Sequence, residues 1–275
     1  MAAIWILVVL GISAGIYLCM VAPRGGGRAR FLRGRMYAHR GLHGQGAVEN
    51  SREAFARAME AGLGIELDVR LSSDGEVMVF HDADLLRVCG REGTIEALSR
   101  EELSRIPLGD GRIPTLREVL EWIDGRVPLL VEIKNCRGIA RVCRATYALL
   151  REYPGEYVVE SFNPLALRWF RRRAPEVIRG QLVAERREYV SALNTLGAQM
   201  LCGMLANFLS RPDFVAYEIR REQDLSIRLM RNFFRIPLAA WTVCSQPDLE
   251  RVLARREAAI FEVGHTGKPI QIPRR

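Results

Sequence analysis

The sequence predicts an α/β protein, a (β/α)8 TIM-type barrel preceded by one N-terminal transmembrane helix. The chain has 275 residues, and after residue 35 short apolar runs that are typical of buried strands alternate with stretches that are typical of helices. Repeated β-then-α units of this kind form a parallel sheet covered by helices. About eight units in roughly 240 residues suit a closed barrel better than an open sheet. A dinucleotide-binding fold is less favoured because no G-x-G-x-x-G follows the first strand.

The first 23 residues, MAAIWILVVLGISAGIYLCMVAP, contain no charged side chain. Their length matches the ~20 apolar residues that a transmembrane helix needs. A cleaved signal peptide is the alternative, but such peptides carry a basic segment before a shorter apolar core and small residues at the cleavage site. Here no Lys or Arg precedes the run, which ends in Cys19, Met20 and Val21. We therefore expect an uncleaved anchor over residues 1–23.

A basic segment follows at residues 24–35, where RGGGRARFLRGR holds five arginines and no acid. The positive-inside rule then predicts a single-pass protein of the cell membrane with the body of the chain in the cytoplasm. The arginines either attract anionic lipid head groups or only set the topology. They supply 5 of the formal net charge of +8 and leave +3 for the rest of the chain. We therefore expect no nucleic-acid partner.

Six cysteines are scattered along the chain, and no two of them have C-x-x-C spacing. A disulfide framework or a zinc site is therefore not expected. Isolated thiols of this kind suit a reducing cytosol.

The expected domains are an anchor over 1–23, a basic juxtamembrane linker over 24–35 and a barrel domain over 36–275. The segments predicted as strands, which are apolar or lie between turn sequences, are 36–39, 64–71, 76–81, 127–134, 156–162, 177–183, 199–202, 213–219, 236–243 and 258–263. Between them, Asn50 or Ser51 caps a helix that stops at Gly62. Ser99 and Thr115 each begin a capping box with a glutamate three residues later. Further helices are expected at 138–153, 164–173, 187–196, 224–234 and 247–257.

Ionisable residues stand in or at the end of four predicted strands: His39 and Arg40, Glu66 and Asp68, His81, and Glu132 and Lys134. The catalytic groups of a barrel sit at the C-terminal ends of its strands, and residues two apart in a strand share a face. Unpaired carboxylates inside a barrel carry a heavy desolvation cost, which a bound cation removes. Three carboxylates without cysteine predict a hard divalent cation, Mg²⁺ or Ca²⁺. Each residue alone suits a solvated or structural role, and only their joint arrangement predicts a site.

The motifs HRG, EN, AF, IELDV, DG, HD, IPTL and VEIK occur in this order. Together they resemble the glycerophosphodiester phosphodiesterase family. The strong resemblance covers residues 37–135, with weaker similarity in ESFNP at 160–164 and AAWTV at 239–243. It implies a (β/α)8 barrel, a divalent metal, and hydrolysis of a glycerophosphodiester to glycerol 3-phosphate and an alcohol.

The resemblance also implies a role for each of these residues, with Glu66, Asp68 and Glu132 as metal ligands, His39 as proton acceptor, His81 as proton donor, and Arg40 and Lys134 as phosphate contacts. The chemistry agrees, because a metal and two cations stabilise charge on phosphoryl oxygens. Two histidines suit the transfer of protons near neutral pH. Either water or the glycerol hydroxyl of the substrate is the nucleophile.

The sequence departs from the family pattern at two places. Val48 stands where a proline usually precedes the EN pair. The last strand, AIFEVGHTGKP, has Glu262 or His265 where the family often has an aspartate. Trp241 either walls the substrate pocket or belongs to the core.

Several softer candidates remain. Glu49 is expected either near the metal or at the helix start, and His43 as a solvated loop residue. Phe162 and Tyr217 are expected to pack, while Glu160 has no assigned role.

Two further functions remain open beside the hydrolysis of soluble diesters. A lysophospholipase D-like enzyme would use the same site on lysophospholipids in the membrane. A non-catalytic, membrane-tethered lipid-binding protein would use the arginine cluster alone.

Overall fold

The computed structural model describes residues 1–25, 27–186, 189, 195–263 and 270–272. Its strands are β1 Met36–Ala38, β2 Gly64–Leu71, β3 Val77–Val79, β4 Pro107–Leu108, β5 Gly111–Arg112, β6 Leu129–Ile133, β7 Tyr157–Ser161, β8 Arg179–Val183, β9 Phe214–Glu218, β10 Leu238–Val243 and β11 Ala258–Phe261. Its helices are α1 Ala2–Val21, α2 Arg52–Glu60, α3 Leu86–Cys89, α4 Arg100–Ser104, α5 Leu116–Ile123, α6 Ile139–Leu150, α7 Pro164–Arg173, α8 Thr195–Cys202, α9 Asn207–Ser210, α10 Leu225–Arg228, which runs on into a π-helical turn Leu229–Phe234, and α11 Gln246–Ala254. Short 3₁₀ turns lie at Arg30–Leu32, Ile95–Ala97 and Ile219–Arg221.

Eight of these strands are parallel and close into one barrel. Their order around the barrel is β1, β2, β6, β7, β8, β9, β10 and β11, and β11 pairs back onto β1. Helices connect the successive strands, as in the expected TIM-type fold. The predicted (β/α)8 barrel is therefore confirmed.

The third predicted strand does not belong to the barrel. The segment β3 pairs antiparallel with β2, with Val79 opposite Val69 and Val77 opposite Leu71. The expectation that His81 ends a barrel strand is therefore wrong. The tight turn after β2 folds the chain straight back, and Phe80 N donates to Asp68 O at 3.0 Å. This hairpin returns His81 to the same end of the barrel at which β2 carries its carboxylates.

The strand expected at 199–202 is also wrong, because these residues are the second half of helix α8. Three apolar residues in a row, at 200–202, do not distinguish a buried strand from one face of a helix. Removing this segment and β3 from the ten predicted strands leaves the eight of the barrel. Most of the helix expected at 187–196 lies outside the described residues.

The helix starts follow the predicted capping chemistry. Ser51 accepts from Ala54 N at the start of α2. Complete capping boxes open α4 at Ser99 and α5 at Thr115. These side-chain bonds satisfy backbone N–H groups that the first turn of a helix leaves free.

Residues 24–25 and 27–35, within the segment expected as a linker, pack against the N-terminal end of the barrel, which we call the base. Ala29 and Leu32 are fully buried there. They pack against inward-facing residues of the strands, among them Leu130, Val158 and Phe214. The apolar side chains of this segment therefore close the base, while its arginines lie around them.

Helix α1 is the one described helix that is long and apolar enough to cross a membrane, judged by length and composition. Residues 1–16 are exposed, whereas Val21 is buried against the barrel. All six cysteines are free thiols.

Candidate active site

Strand register places three carboxylates side by side at the C-terminal end of the barrel, which we call the mouth. Asp68 of β2 lies opposite Glu132 of β6, and Glu132 lies opposite Glu160 of β7. All three are buried. Glu66 lies two residues before Asp68 on the same face of β2, as the period of a strand requires. The convergence expected from sequence is therefore present, with Glu160 as an additional member.

The carboxylates of Glu66, Asp68 and Glu132 form one cluster. Each offers an oxygen, and these oxygens lie within 4.8 Å of one another. Burial together with the charges of Asp68 and Glu132 raises the pKa of Glu66 well above its usual value. Burial likewise raises the pKa of Glu132. Packing several acids in one dry place is costly without a compensating cation.

The oxygen atoms of this cluster fit a hard divalent cation. Asn50 Oδ1 is buried and accepts no hydrogen bond among the described residues, while the buried Asp68 Oδ1 faces Lys134 Nζ at 3.2 Å. Both are of the carboxylate or amide type that Mg²⁺ and Ca²⁺ prefer. Asn50 Nδ2 donates to the other Asp68 oxygen at 2.9 Å, which orients that carboxylate.

Two cations face the cluster, as the sequence predicts. Lys134 Nζ lies 3.0 Å from Glu132 Oε1 and 3.2 Å from Asp68 Oδ1. Arg40 Nε lies 3.5 Å from Asp68 Oδ2. Burial opposes the charge of Lys134, but Glu132 and Asp68 outweigh it and raise the pKa of the ammonium. Both residues therefore stay cationic beside the carboxylates.

The backbone of the HRG motif also faces the cluster. Arg40 has a left-handed φ of 55°, and its N–H donates to Glu66 Oε2 at 2.9 Å. Gly41 follows with a φ of 80°, and a Cβ there would come within 2.9 Å of the Ala54 backbone. The glycine is required because the turn runs against α2. Non-glycine residues held at positive φ cluster at functional sites.

His39 pairs with a carboxylate from the last strand. His39 Nδ1 lies 2.5 Å from Glu262 Oε1, and its Nε2 lies 3.9 Å from Glu66 Oε2. Burial raises the pKa of Glu262, but hydrogen bonding from His39 outweighs this effect and holds the pKa well below its usual value. The ionised Glu262 therefore accepts the Nδ1 proton and leaves the Nε2 lone pair directed at the mouth. Burial lowers the pKa of His39, which keeps the ring neutral.

His81 has a similar partner in the next residue. Its Nδ1 lies 2.6 Å from Asp82 Oδ1. Burial is the largest influence on this ring and lowers the pKa of His81 to about 4. Arg70 Nε donates to the backbone oxygen of His81 at 2.9 Å, which fixes the end of the hairpin.

Ion pairs connect the loop that carries His39 and Arg40, the HRG loop, with the loop that carries His81. Arg87 donates to Asp82 Oδ2 at 2.5 Å and to both oxygens of Glu49 at 2.6 and 2.8 Å. Arg40 Nη1 donates to the same Glu49 at 3.0 Å. Glu49 therefore bridges the HRG loop and the His81 loop, rather than joining the carboxylate cluster.

Trp241 lies half-buried beside the mouth. Its ring packs edge-on against Phe162, with the ring centroids 5.6 Å apart. Phe162 packs in the same way against Tyr189, with a centroid distance of 5.9 Å. The indole N–H of Trp241 is buried and has no hydrogen-bond partner among the described residues. Tyr217 is fully buried, as expected of a packing residue. The Trp241 position stays a candidate for the wall of the substrate pocket.

The structure brings the proposed histidines, carboxylates and cations together and adds other residues, while Trp241 lies beside them. Glu262, Asp82, Asn50 and Glu160 were not assigned roles in the site, although the motifs HD, EN and ESFNP contain three of them. His43, expected to be solvated, is half-buried with Nε2 3.7 Å from Glu262 Oε1. His265, the other candidate near the last strand, lies outside the described residues.

These features define the class of protein. A (β/α)8 barrel with buried carboxylates, two cations and two carboxylate-paired histidines at its mouth is the arrangement of an enzyme that performs acid–base chemistry on an anionic substrate.

The comparisons with known proteins identify the family. Residues 39–254 match the glycerophosphoryl diester phosphodiesterase family. A glycerophosphodiester phosphodiesterase of Caldanaerobacter subterraneus subsp. tengcongensis is 36% identical over 233 residues, which cover 78% of this chain and 88% of that protein. The chain therefore belongs to the glycerophosphoryl diester phosphodiesterase family of phosphoric diester hydrolases.

Solved structures agree on the fold. A glycerophosphodiester phosphodiesterase of Thermotoga maritima has a TM-score of 0.64 and 28% identity, and the match covers 82% of this chain and 93% of that one. A phosphodiesterase of Oleispira antarctica, in complex with the product sn-glycerol 3-phosphate, has a TM-score of 0.69 at 24% identity. That match covers 85% of this chain and 94% of the other. The barrel expected from the family resemblance is thus also the barrel of solved relatives.

Proposed function

We propose that the protein is a membrane-anchored, metal-dependent enzyme that hydrolyses glycerophosphodiesters to glycerol 3-phosphate and an alcohol. One observation carries the proposal: His39 and His81, each held by its own carboxylate, lie at the same mouth as the cluster of Glu66, Asp68 and Glu132. The product bound to the Oleispira antarctica phosphodiesterase supports this choice of substrate.

The three clustered carboxylates would hold a divalent cation, Mg²⁺ or Ca²⁺. Their oxygens are close together and buried, and the adjacent Asn50 Oδ1 has no hydrogen-bond partner among the described residues. When bound there, the cation supplies Lewis-acid stabilisation of charge on the phosphoryl oxygens. The cation thereby offsets the cost of burying the acids together.

Arg40 and Lys134 bind and orient the phosphodiester. Both side chains stay cationic at the mouth, and both are buried or nearly so. In such a site their attraction for a phosphate is less screened than in water. To contact the phosphate, each side chain gives up one of its contacts with a neighbouring carboxylate. They hold the phosphorus between the two histidine rings.

His39 serves as the base. Glu262 fixes its Nδ1–H, so the free Nε2 accepts a proton from the attacking hydroxyl or water. The ring is neutral at neutral pH because burial lowers its pKa. It is therefore ready to accept a proton before the substrate reacts.

His81 serves as the acid at the leaving oxygen. Burial keeps the ring neutral in the protein without substrate. A bound phosphodiester adds a negative charge beside it, and a nearby opposite charge favours the protonated ring. Asp82 stabilises the resulting imidazolium from the Nδ1 side. Proton donation by His81 is thus coupled to the arrival of the anion.

Helix α1 supports the membrane part of the proposal. It has the length and composition of a membrane-spanning segment. The arginines that follow it would place the barrel in the cytoplasm of a single-pass protein. A helix of this kind is also compatible with a signal sequence, so cleavage is the first thing to check by the mass of the purified protein.

The experiment is an assay of glycerol 3-phosphate release from glycerophosphocholine and glycerophosphoethanolamine, with Mg²⁺, with Ca²⁺ and with EDTA. The full chain in nanodiscs is required, because truncation before residue 36 removes Ala29 and Leu32 from the base of the barrel. We expect turnover that EDTA abolishes and that His39→Asn lowers by at least about 100-fold. Turnover in EDTA, or unchanged turnover in the variant, would contradict the mechanism. Absence of any turnover by a folded protein would favour the lipid-binding alternative.

A further inference from the structure

The foot of helix α1 joins the barrel at its base, opposite the active site. Asn207 Nδ2 donates to Val21 O at 2.9 Å, and Arg211 Nη1 donates to Ala22 O at 3.1 Å. Arg24 N donates to Pro212 O at 2.9 Å. These partners directly precede β9, which begins at the base. The anchor is therefore fixed to the end of the barrel that is farthest from His39 and the carboxylates.

The anchor also leaves the barrel rather than running along its wall. Residues 1–16 are all exposed, and burial begins only in the last turn of α1. The fifteen helical residues among them span about 22 Å, most of a bilayer core. If this stretch lies in a bilayer, the membrane surface meets the protein at the base. The mouth is then separated from that surface by the length of the strands, about 17 Å for five residues.

Five arginines surround the foot of the anchor. They are Arg24, Arg28, Arg171, Arg179 and Arg211. Within the described part of the chain, the ion pairs of this set all go to Asp213, from Arg28 at 3.5 Å and Arg179 at 3.6 Å. The base next to the anchor therefore carries a clear excess of positive charge.

A cavity of about 430 Å³ lies inside this group. It is lined by Pro23, Arg24, Arg171, Pro175, Arg179 and Arg211, without an acidic residue. Arg179 is only 1% exposed, and its Nη1 lies 3.6 Å from Asp213 Oδ2 but makes no hydrogen bond among the described residues. Burial and the neighbouring arginines lower the pKa of Arg179 to about 10, although Asp213 raises it. A buried guanidinium that shares one carboxylate with Arg28 and has further cationic neighbours is an environment that an anion stabilises.

Bonds to backbone carbonyls use only part of the donor capacity of these arginines. Arg24 and Arg28 donate to Pro175 O at 3.0 Å, and Arg171 donates to Phe208 O at 2.9 Å. Each guanidinium carries five N–H donors in a fork that suits phosphate. These hydrogen bonds to the base of the barrel therefore leave N–H groups of the arginines available for a ligand.

We infer that this arginine cavity binds the phosphate of anionic phospholipids in the bilayer that α1 spans, so that the base rests on the membrane and the mouth faces the aqueous phase. The lipid source is favoured because the cavity begins at Pro23, immediately beyond the anchor. Anionic lipid attracts arginines that lie next to a transmembrane helix.

The arrangement has a consequence for the substrate, which rests on the proposed function. A mouth that is directed away from the bilayer receives diesters from solution. It does not reach the head groups of lysophospholipids in the membrane that holds the anchor. The enzyme therefore favours water-soluble glycerophosphodiesters over lysophospholipids embedded in its own bilayer.

The test uses the full chain in nanodiscs of phosphatidylcholine alone or with one-third phosphatidylglycerol, studied by hydrogen exchange. We expect phosphatidylglycerol to slow exchange severalfold in segments 171–175 and 207–213 and to leave segments 39–49 and 81–88 unchanged. The double variant Arg171→Gln/Arg211→Gln should lose this protection. The matched control Arg137→Gln/Arg220→Gln removes the same charge at the mouth side, where both arginines are exposed, and should keep it.

Three outcomes would overturn the inference. The first is protection at the mouth segments in place of the base. The second is equal protection by phosphatidylglycerol in the double variant. The third is equal protection by millimolar inorganic phosphate in phosphatidylcholine discs, which would make the cavity a site for free phosphate. Because the comparison of the two disc compositions uses the wild-type chain, it decides the matter even where the double variant folds poorly.

The substrate consequence is measured separately. Turnover of glycerophosphocholine in solution is compared with turnover of lysophosphatidylcholine incorporated in the same discs. Faster turnover of the embedded lipid would overturn the orientation. If neither compound is hydrolysed, the proposed function fails, while the exchange pattern still decides whether the base binds lipid.

Discussion

His39 Nδ1 lies 2.5 Å from Glu262 Oε1, and this contact joins the first strand of the barrel to the last. Barrel closure makes it possible, since β11 pairs directly with β1. The acid therefore reaches the histidine from 223 positions away along the chain.

Replacing Glu262 with glutamine should lower kcat by about 10²-fold, because the amide no longer holds the Nδ1–H tautomer or stabilises the protonated ring. Glu262→Asp should recover part of the loss. The tautomer is measured by ¹⁵N NMR of the imidazoles, which is practical because the chain has four histidines. The exposed Glu250→Gln is the matched control. An unchanged His39 spectrum in Glu262→Gln would show that the contact does not position the ring.

The pH dependence of kcat/KM should follow His39. Burial lowers the pKa of this ring, so the base stays neutral and active below the ordinary histidine pKa of about 6.5. We expect the acid limb of the profile below that value. Glu262 favours the protonated ring, and its removal should move the limb to still lower pH. An acid limb above 6.5, or a shift to higher pH in Glu262→Gln, would contradict this assignment.

Asp68→Asn and Glu132→Gln should each weaken binding of Mg²⁺ or Ca²⁺ by at least about 100-fold, because each removes one charged ligand of a cluster of three. Isothermal titration with the metal alone measures the loss independently of turnover. Asp74→Asn, at a solvent-facing turn that precedes β3, controls for the loss of a negative charge. Wild-type affinity in both cluster variants would exclude these carboxylates as the metal site.

Glu160→Gln should keep activity within severalfold of the wild type. Burial and the neighbouring Glu132 and Asp68 raise the pKa of Glu160 well above its usual value, so the neutral acid and the amide resemble each other. Glu132→Gln in the same assay should remove activity. A similar loss in Glu160→Gln would show that this side chain acts as an anion, as a fourth ligand.

Leu32→Ala should lower the free energy of unfolding by about 2–5 kcal/mol, because the side chain is fully buried in the base of the barrel. Urea unfolding of the full chain in detergent measures the change. Leu196→Ala is the matched control, since that leucine is 71% exposed, and it should change stability little. Equal stability of both variants would mean that residues 24–35 are a free linker.

Local sequence was sufficient for much of the fold and site. The start of α2 and the capping boxes of α4 and α5 depend on side chains within three residues of each helix start, and all three are present. The spacing of Glu66 and Asp68 fixes a common face through the period of a strand. Short motifs then carried the family resemblance, which the comparisons confirm for residues 39–254.

One strand assignment and one placement in the barrel were wrong, because a local sequence pattern does not contain the direction or the partner of a strand. The run before His81 has the composition of a barrel strand, but the turn after β2 makes it pair antiparallel. The short segment 199–202, in which residues 200–202 are apolar, suits a helix and a strand equally well, and its packing selects the helix.

The sequence by itself determined the barrel class, the capped helices and the residue types that face the mouth, because these follow from interactions between close neighbours in the chain. Only the tertiary structure decided that Glu262 pairs with His39, that Glu160 joins the carboxylate row, and that the anchor is fixed to the base. Each of these depends on barrel closure or register, which brings together residues far apart in sequence. Forming such contacts costs the entropy of closing long loops, and burial across the whole barrel offsets this cost. A short segment of sequence therefore does not predict them.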